Sequence, residues 1–203
     1  MRRSREESAK TRQRILRMAR GVFAKRGVSQ TTMEHIAVAA GVTRGAIYGH
    51  FKNKGDLFFS MREQLALPMI DSIDAERLSH PGDPLLGVER YLGGLADALA
   101  NDAATRETFD ILGFKCEYVG EFERDMKRQG MRCAELTEKL QRAYADAARA
   151  KKLRPGLVPE LAALETCAFL VGIIRLWLLD KSGKLIKPHM KALIASHIAS
   201  LRG

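Results

Sequence analysis

The sequence predicts an all-α protein of about nine helices, in which a small basic N-terminal domain precedes a larger helical body. Three observations indicate this fold class. Apolar residues recur at three- and four-residue spacing along most of the 203 residues, as on helices with one buried face. Glycine, proline and N-cap residues interrupt these stripes as they do at helix ends. The sequence also lacks internal repeats and the alternating apolar and polar runs that are typical of strands.

Three helices are predicted in the first quarter of the chain. An apolar stripe over residues 15–23 predicts the first helix, and Gly27 follows two cations as a C-cap. Thr31-Thr32-Met33-Glu34 is typical of a capping box, which would begin a short second helix. That helix would end at the turn Ala40-Gly41-Val42, and Thr43 can cap the third helix. Two short helices separated by such a turn match a helix-turn-helix.

Six further helices are predicted in the rest of the chain. The fourth is expected over residues 54–78, with Asn53 as its N-cap and with Pro68 as an internal kink or break. The others are expected, in order, at residues 84–100, 103–118, 121–150, 160–180 and 187–201. Segments rich in proline, glycine and serine separate several of these helices.

The positive charge is confined to the start of the chain. The protein has 34 Lys and Arg against 24 Asp and Glu, which gives a net charge of +10. Residues 1–54 contain 13 of these cations and 3 of the anions, whereas residues 55–203 contain 21 of each. A confined basic module favours a polyanionic partner, most often nucleic acid. A solvated basic tail is the alternative, and an anionic membrane is a weaker one because no broad apolar face accompanies the charges.

The third predicted helix has the composition of a helix that reads DNA. Such a helix needs polar side chains near its start that can enter the major groove. Arg44 can reach a guanine edge or a phosphate, and the small residues that follow permit close approach. The candidate DNA-binding residues are Thr31, Thr32, Thr43, Arg44, Gly45, Ala46, Tyr48, Gly49, His50, Lys52 and Lys54. Arg2, Arg3 and Arg5 are expected to add minor-groove or phosphate contacts, and Ile47 and Phe51 are expected to pack beneath the helix.

The sequence does not favour an enzyme, a metal site or a cofactor. Its five histidines show neither HxxxH nor HExxH spacing, and no P-loop or GxSxG motif is present. The three cysteines, Cys116, Cys133 and Cys167, share no CxxC spacing, so a disulfide scaffold is not expected. A buried structural thiol is the default reading of Cys116, and oxidant sensing by one of the three stays an alternative.

The chain is expected to act in the cytoplasm. No apolar stretch follows the charged N-terminal residues, so no secretory signal is predicted. Residues 161–179 are strongly apolar, but Glu165 and Arg175 within them would be costly in a bilayer. This segment is therefore interpreted as a buried or partner-binding helix.

The segment TTMEHIAVAAGVTRGAIYGHFKNKGDLF resembles the DNA-binding signature of the TetR family of bacterial transcriptional regulators, over about residues 8–60. Residues 112–119 and the helix that contains Trp177 resemble the AcrR-type branch, whose members repress multidrug efflux-pump operons. The resemblance implies an Ω-shaped homodimer with a DNA-binding domain at residues 1–54 and a ligand-binding and dimerisation domain at 55–203. The two C-terminal helices would form the dimer bundle, and a small-molecule inducer would release the dimer from a palindromic operator.

An inducer pocket would be mostly apolar. The candidate ligand-binding residues are Leu65, Met69, Ile73, Phe109, Phe114, Met131, Leu136, Leu170, Ile174, Arg175 and Leu178. For Arg175, an ion pair with Glu117 competes with anchoring of a ligand. Relatives hold drugs with polar or acidic groups where this chain has Ala66 and Phe109, which favours an apolar, amphipathic or anionic inducer. A DNA-organising or protein-partnered regulator of the same build, without an inducer, is the alternative function.

Overall fold

The computed structural model describes residues 2–203, without the side chains of residues 2–4, 66 and 67. This described part contains nine α-helices and no strand beyond an isolated antiparallel bridge between Leu153 and Arg202. The helices are α1 (Arg2–Arg26), α2 (Met33–Ala40), α3 (Arg44–His50), α4 (Lys54–Ser79), α5 (Pro84–Asn101), α6 (Ala103–Asp110), α7 (Glu123–Arg149), α8 (Pro159–Leu179) and α9 (Met190–Leu201). The prediction of an all-α fold with about nine helices is confirmed.

The chain forms two compact units, each built from two separate stretches. Unit 1 comprises the chain up to Leu65 together with Ala103–Lys127, and unit 2 comprises Ala66–Asp102 and Arg128–Gly203. The helices α4 and α7 therefore contribute one end to each unit. The predicted domain boundary at residue 54 stays a prediction.

The core of unit 1 joins α1, α2, α3 and the start of α4. The ring centroids of Phe23 and Phe58 lie 5.8 Å apart, and those of Phe58 and Phe122 lie 5.3 Å apart, both edge to face. Such aromatic pairs add directional packing to the burial of their area. Other fully buried side chains here are Ile15, Leu16, Ile36, Ile47 and Phe51. Ile47 and Phe51 thus pack beneath α3, as expected.

Caps define the ends of the short helices, with one correction to the predicted capping box. The N-cap of α2 is Thr32 rather than Thr31, and its partner is His35 rather than Glu34. The Thr32 hydroxyl accepts from the His35 amide at 3.2 Å, and His35 Nδ1 accepts from the Thr32 amide at 3.2 Å. The prediction failed because an imidazole nitrogen takes the accepting role that a Glu or Gln side chain usually has. Gly41 ends α2 at φ 60°, a left-handed conformation that favours glycine.

The sixth helix is shorter than predicted. Instead of running to residue 118, α6 ends at Asp110 and a π-helical turn follows over Ile111–Lys115. The Tyr118 hydroxyl donates to the Leu112 carbonyl at 2.9 Å, and the Val28 amide donates to the Lys115 carbonyl at 2.9 Å. Because these partners satisfy carbonyls of the π-helical turn from outside, the chain needs no further helical turn towards residue 118.

Pro68 does not split the fourth helix. α4 continues from Lys54 to Ser79 with Pro68 inside it, so a break at this position is wrong, while a kink stays a prediction. Proline removes a single backbone donor, and the hydrogen bonds on both sides can maintain the helix. α4 is therefore one continuous element across the boundary between the two units.

The core of unit 2 forms around α5, which buries an apolar stripe that includes Leu85, Val88, Leu92, Leu95 and Leu99. α5 packs against α9. Gly87 is required where α5 approaches the end of α4, because a Cβ atom there would lie 2.9 Å from the Glu76 carbonyl oxygen. Ion pairs join α4 to α7: Lys139 lies 3.0 Å from Asp71 and 2.7 Å from Asp74.

α8 is the one described helix that is long and apolar enough to span a bilayer by length and composition alone. However, it buries seven of its residues in unit 2, among them Thr166, Leu170 and Trp177. Its opposite side leaves Leu161, Leu164 and Val171 exposed. This burial on one side is typical of a helix in a folded protein, and the exposed side carries Glu165 and Arg175 beside these apolar residues.

Candidate nucleic-acid interface

The start of α3 is fixed by its cap and by the core beneath it. The Thr43 hydroxyl accepts from the Ala46 amide at 3.1 Å, which satisfies one of the unpaired amides of the first turn. Buried Ile47 and Phe51 attach the other side of the helix to unit 1. Since both ends of this short helix are determined, its outer side chains have a defined direction.

The outer side of α3 is exposed and carries the predicted DNA-reading residues. Arg44, Gly45, Tyr48 and Gly49 are exposed at positions that share one helical face, and the exposed Lys52 follows the end of the helix. A Cβ atom at Gly49 would meet nothing within 4 Å, so the backbone there is open to a close approach. The half-buried Ala46 and His50 flank this face.

Arg44 is oriented by two weak contacts. Its Nε lies 3.4 Å from a Glu34 carboxylate oxygen, and its guanidinium lies 5.7 Å from the centroid of the Tyr48 ring. The side chains of Arg44 and Glu34 are 74% and 49% exposed, so water competes for the pair and its free energy is small. Arg44 can therefore exchange Glu34 for a phosphate or a guanine edge at little cost.

Two residues that the sequence placed among the DNA contacts are engaged inside unit 1. Thr31 is buried, and its hydroxyl donates to the Gly27 carbonyl at 2.7 Å. Lys54 donates to the Val28 carbonyl at 3.1 Å and pairs with Glu121 at 3.5 Å. Both side chains bond to carbonyls of the loop between α1 and α2, so these atoms are engaged within the protein, and a DNA contact by either residue stays a prediction. Thr43 and Thr32 remain exposed at the two helix starts.

Sequence reasoning missed the role of Arg12. It lies off the apolar stripe of α1, which predicts a solvated side chain, yet it is half buried. Its guanidinium lies 4.9 Å from the centroid of the Phe51 ring, and Nη2 donates to Ser60 Oγ at 3.0 Å. No local pattern predicts this contact, because Phe51 and Ser60 are distant in sequence. The predicted contacts of Arg2 and Arg3 lie outside the described side chains.

The predicted ligand-binding residues are distributed over both units. Leu65, Phe109 and Phe114 belong to unit 1, and Met69, Ile73, Met131, Leu136, Leu170, Ile174, Arg175 and Leu178 belong to unit 2. Ile73, Leu136, Leu170 and Leu178 are buried, whereas Phe114, Met131 and Arg175 are exposed. The exposed position of Arg175 gives its charge access to water. Ala66 lies among the side chains that the structure does not describe. The assignment of a ligand site therefore stays a prediction.

The environment of two cysteines disfavours the reactive thiolate form. Burial, with a further contribution from the Asp125 carboxylate, raises the pKa of Cys116 to about 11. Partial desolvation of the thiol also raises the pKa of Cys133 above its usual value, although the residue as a whole is exposed. Thiols with raised pKa values are protonated near neutral pH and react slowly with oxidants. The positive charges of Lys54 and Arg62 lower the pKa of Cys116, but less than burial raises it.

Comparisons with known proteins identify both parts of the chain. The family model described as "Bacterial regulatory proteins, tetR family" matches residues 15–61, and that of the "MAATS-type transcriptional repressor, C-terminal region" matches residues 83–202. The HTH-type transcriptional regulator AcrR of Shigella flexneri is 35% identical, over 87% of this chain and 82% of its own length. The HTH-type transcriptional repressor BepR of Brucella suis is 34% identical, over 100% of this chain and 97% of its own.

Two crystal structures show the same fold at comparable identity. NalD, described as the secondary repressor of the MexAB-OprM multidrug efflux pump in Pseudomonas aeruginosa, superposes with a TM-score of 0.83 at 32% identity, covering 96% of this chain and 98% of NalD. MexZ, described as a key repressor responsible for antibiotic resistance in Pseudomonas aeruginosa, gives a TM-score of 0.80 at 28% identity, with 96% of each chain covered.

Proposed function

We propose that this chain, which belongs to the TetR family of bacterial regulatory proteins, is a cytoplasmic, homodimeric repressor of a multidrug efflux-pump operon. It binds a palindromic operator in this proposal, and a small apolar or amphipathic inducer releases it. Support comes from relatives that match nearly the full chain, two of which are described as a transcriptional repressor and as a repressor of an efflux pump.

The exposed face of α3 is the observation that carries the DNA-binding part of the proposal. Arg44 and Tyr48 project from a helix that is capped at its start and packed from below. A helix of this kind fits the major groove, and its first residues contact base edges. Thr32, Tyr48, His50 and Lys52 would contact phosphates, which fix the register of the protein on the duplex.

The exposed apolar side of α8 supports a homodimer. Leu164 and Val171 are 57% and 58% exposed on this helix, and Leu193 of α9 is also exposed. Exposed apolar residues that cluster on one side of a helix mark an interaction surface. A dimer would place two α3 helices about 34–36 Å apart, one turn of the DNA helix, and would match a palindromic operator.

The continuous α4 supports control by an inducer. It begins beside α3 in unit 1, and its second half pairs with α7 in unit 2. A ligand that displaces this second half would also move the start of the helix, since a helix transmits motion along its axis. Coupling of about 1–3 kcal/mol would change the affinity for DNA roughly 5–150-fold.

A gel shift with DNA from upstream of the gene tests the inducible function. We expect retardation by the purified protein and release by a hydrophobic or amphipathic compound that the regulated pump exports. The same compound should not release DNA from a variant of the protein that cannot bind the compound. Retardation that no exported compound reverses would contradict the inducer and favour a DNA-organising regulator of the same fold.

A further inference from the structure

Two of the three cysteines are neighbours in unit 2, although they are far apart in the sequence. Cys133 belongs to α7 and Cys167 belongs to α8. The Thr137 hydroxyl lies 2.8 Å from the Cys133 carbonyl oxygen and 3.4 Å from Cys167 Sγ. Because residues four apart share one face of a helix, Cys133 and Thr137 lie on the same side of α7, and this side contacts Cys167. The two thiols therefore lie on either side of the contact between α7 and α8.

The pair of thiols is within reach of a ligand from solvent. Cys133 is exposed and Cys167 is half-buried. The charge of a Cys167 thiolate contributes to the raised pKa of Cys133, and such an interaction requires a short separation. A ligand that arrives at Cys133 therefore has a second sulfur close by.

The hydroxyl of Tyr91, on α5, adds a hydrogen-bond donor near the pair. Tyr91 is 3% exposed, and its hydroxyl has no hydrogen-bond partner in the described part of the chain. Burial raises the pKa of Tyr91 and Cys167 contributes to this shift, so the hydroxyl lies near Cys167 and keeps its proton at neutral pH. A buried hydroxyl without a partner costs free energy. A ligand that carries an oxygen atom would satisfy this donor.

The side chains present favour a ligand that takes two sulfurs. Among the described residues, no group of three or more histidine, cysteine or carboxylate side chains could hold a metal ion. Zinc does not fit, because its structural sites use four protein ligands. Sulfur from cysteine is a soft ligand and favours soft acceptors. Trivalent arsenic is a soft acceptor with three bonds, so two sulfurs leave its third position for an oxygen.

We propose that Cys133 and Cys167 bind trivalent arsenic, taken up as arsenite, and that the Tyr91 hydroxyl donates to the oxygen that remains on the arsenic. The ligand would crosslink α7 to α8 within unit 2. Its chemistry differs from that of the apolar or amphipathic inducer proposed above, so the inference extends the function of this unit to a second class of ligand.

The binding reaction is balanced without a change of oxidation state. Each sulfur forms one bond to arsenic, and one arsenic–oxygen bond breaks in exchange. Each released hydroxide takes the proton of the attacking thiol and leaves as water. Two waters form, one hydroxyl stays on the arsenic, and the arsenic remains trivalent. Because the thiol proton leaves with the hydroxide, the reaction does not require a thiolate in advance.

Native mass spectrometry of the purified protein, titrated with arsenite, provides the test. Cys133→Ser and Cys167→Ser each remove one sulfur of the pair, and the matched control Cys116→Ser removes a thiol from unit 1. Circular dichroism checks that each variant is folded. Arsenic X-ray absorption of the wild type identifies the bound atoms without relying on a variant. Because the titration contains no DNA, its outcome is independent of the proposed repressor function.

We expect one arsenic per chain in the wild type and in the Cys116 variant, bound by two sulfurs and one oxygen. Loss of either sulfur of the pair should weaken binding about 10²-fold, because the second sulfur acts as an intramolecular ligand. Tyr91→Phe should weaken the binding of arsenite about fivefold through the loss of one hydrogen bond. The same variant should bind methylarsonous acid as the wild type does, since a methyl group then replaces the oxygen.

Wild-type protein that binds no arsenite, or one arsenic for every two chains, would overturn the proposal. Affinity equal to that of the wild type in Cys133→Ser or in Cys167→Ser would overturn it as well. An equal effect of Tyr91→Phe on arsenite and on methylarsonous acid would remove the role that is assigned to the hydroxyl.

Discussion

Arg44 and Thr32 illustrate how single residues prepare the proposed interface. Arg44 is exposed and is oriented by Glu34 and Tyr48, so little has to be rearranged before it contacts DNA. Thr32 has an internal role, since its hydroxyl closes the start of α2 with His35. Arg44 thus acts mainly on recognition, and Thr32 acts mainly on the stability of the unit that carries Arg44.

Arg44→Ala tests base reading. If Arg44 bonds to a guanine edge, the variant should lose about 1–3 kcal/mol on the operator and less on random duplex. Titration of both duplexes under the same salt conditions measures the difference. Lys52→Ala serves as the comparison, because the loss of a phosphate contact should lower the affinity for both duplexes by a similar amount. Equal losses for Arg44→Ala on the two duplexes would remove its base-reading role.

Thr32→Ala tests the reciprocal cap of α2. The variant removes the oxygen that accepts from the His35 amide, so the free energy of unfolding should fall by about 1 kcal/mol. Urea denaturation followed by circular dichroism measures this loss. The exposed Ser29→Ala is the control and should be near neutral. A Thr32 variant as stable as this control would show that the cap contributes nothing.

At the scale of elements, α4 and α7 are joined by ion pairs. Lys139 is 9% exposed and lies between Asp71 and Asp74. Its hydrogen bonds to the two carboxylates raise the pKa of Lys139 above its usual value. Because this folded-state pKa is raised, the stabilisation is fully present at neutral pH and is lost only in strongly alkaline solution.

Lys139→Met should lower the free energy of unfolding by about 1 kcal/mol at neutral pH. The cost stays moderate because Asp71 and Asp74 are partly exposed and water can solvate them. Denaturation of the wild type and of the variant, at neutral pH and at a pH above the pKa of Lys139, gives the comparison. An unchanged difference between wild type and variant in alkaline solution would show that the charge is not the stabilising feature.

The sequence was informative where local signals determine an element. The glycine turns, the Thr43 cap and the buried Ile47 and Phe51 follow from spacing alone. The sequence was less informative where a residue distant in the chain determines the end of a helix or the contacts of a side chain. Tyr118 and Val28 bond to carbonyls of the π-helical turn after α6, and Thr31 and Lys54 donate to carbonyls of the loop after α1. Contacts between residues so far apart in the sequence leave no periodic pattern that would predict them.

For the whole molecule, the unpartnered apolar side of α8 is the main feature that the single chain leaves unexplained. Leu164→Glu/Val171→Glu should convert the protein to a folded monomer, because both side chains are exposed in the isolated chain and a charge would be buried only in the dimer. Sedimentation velocity measures the mass, and Val38→Glu, at an exposed position of unit 1, is the control. A double variant that remains dimeric would place the interface elsewhere.

DNA binding under controlled salt is the most direct test of the central claim that the exposed face of α3 reads an operator. Fluorescence anisotropy should compare the duplex from upstream of the gene with a scrambled duplex of equal length. We expect the upstream duplex to bind at least about 10³-fold more tightly at physiological salt, with affinity that falls steeply as salt rises. Equal affinity for the two duplexes, or no binding to either in dilute salt, would contradict the account.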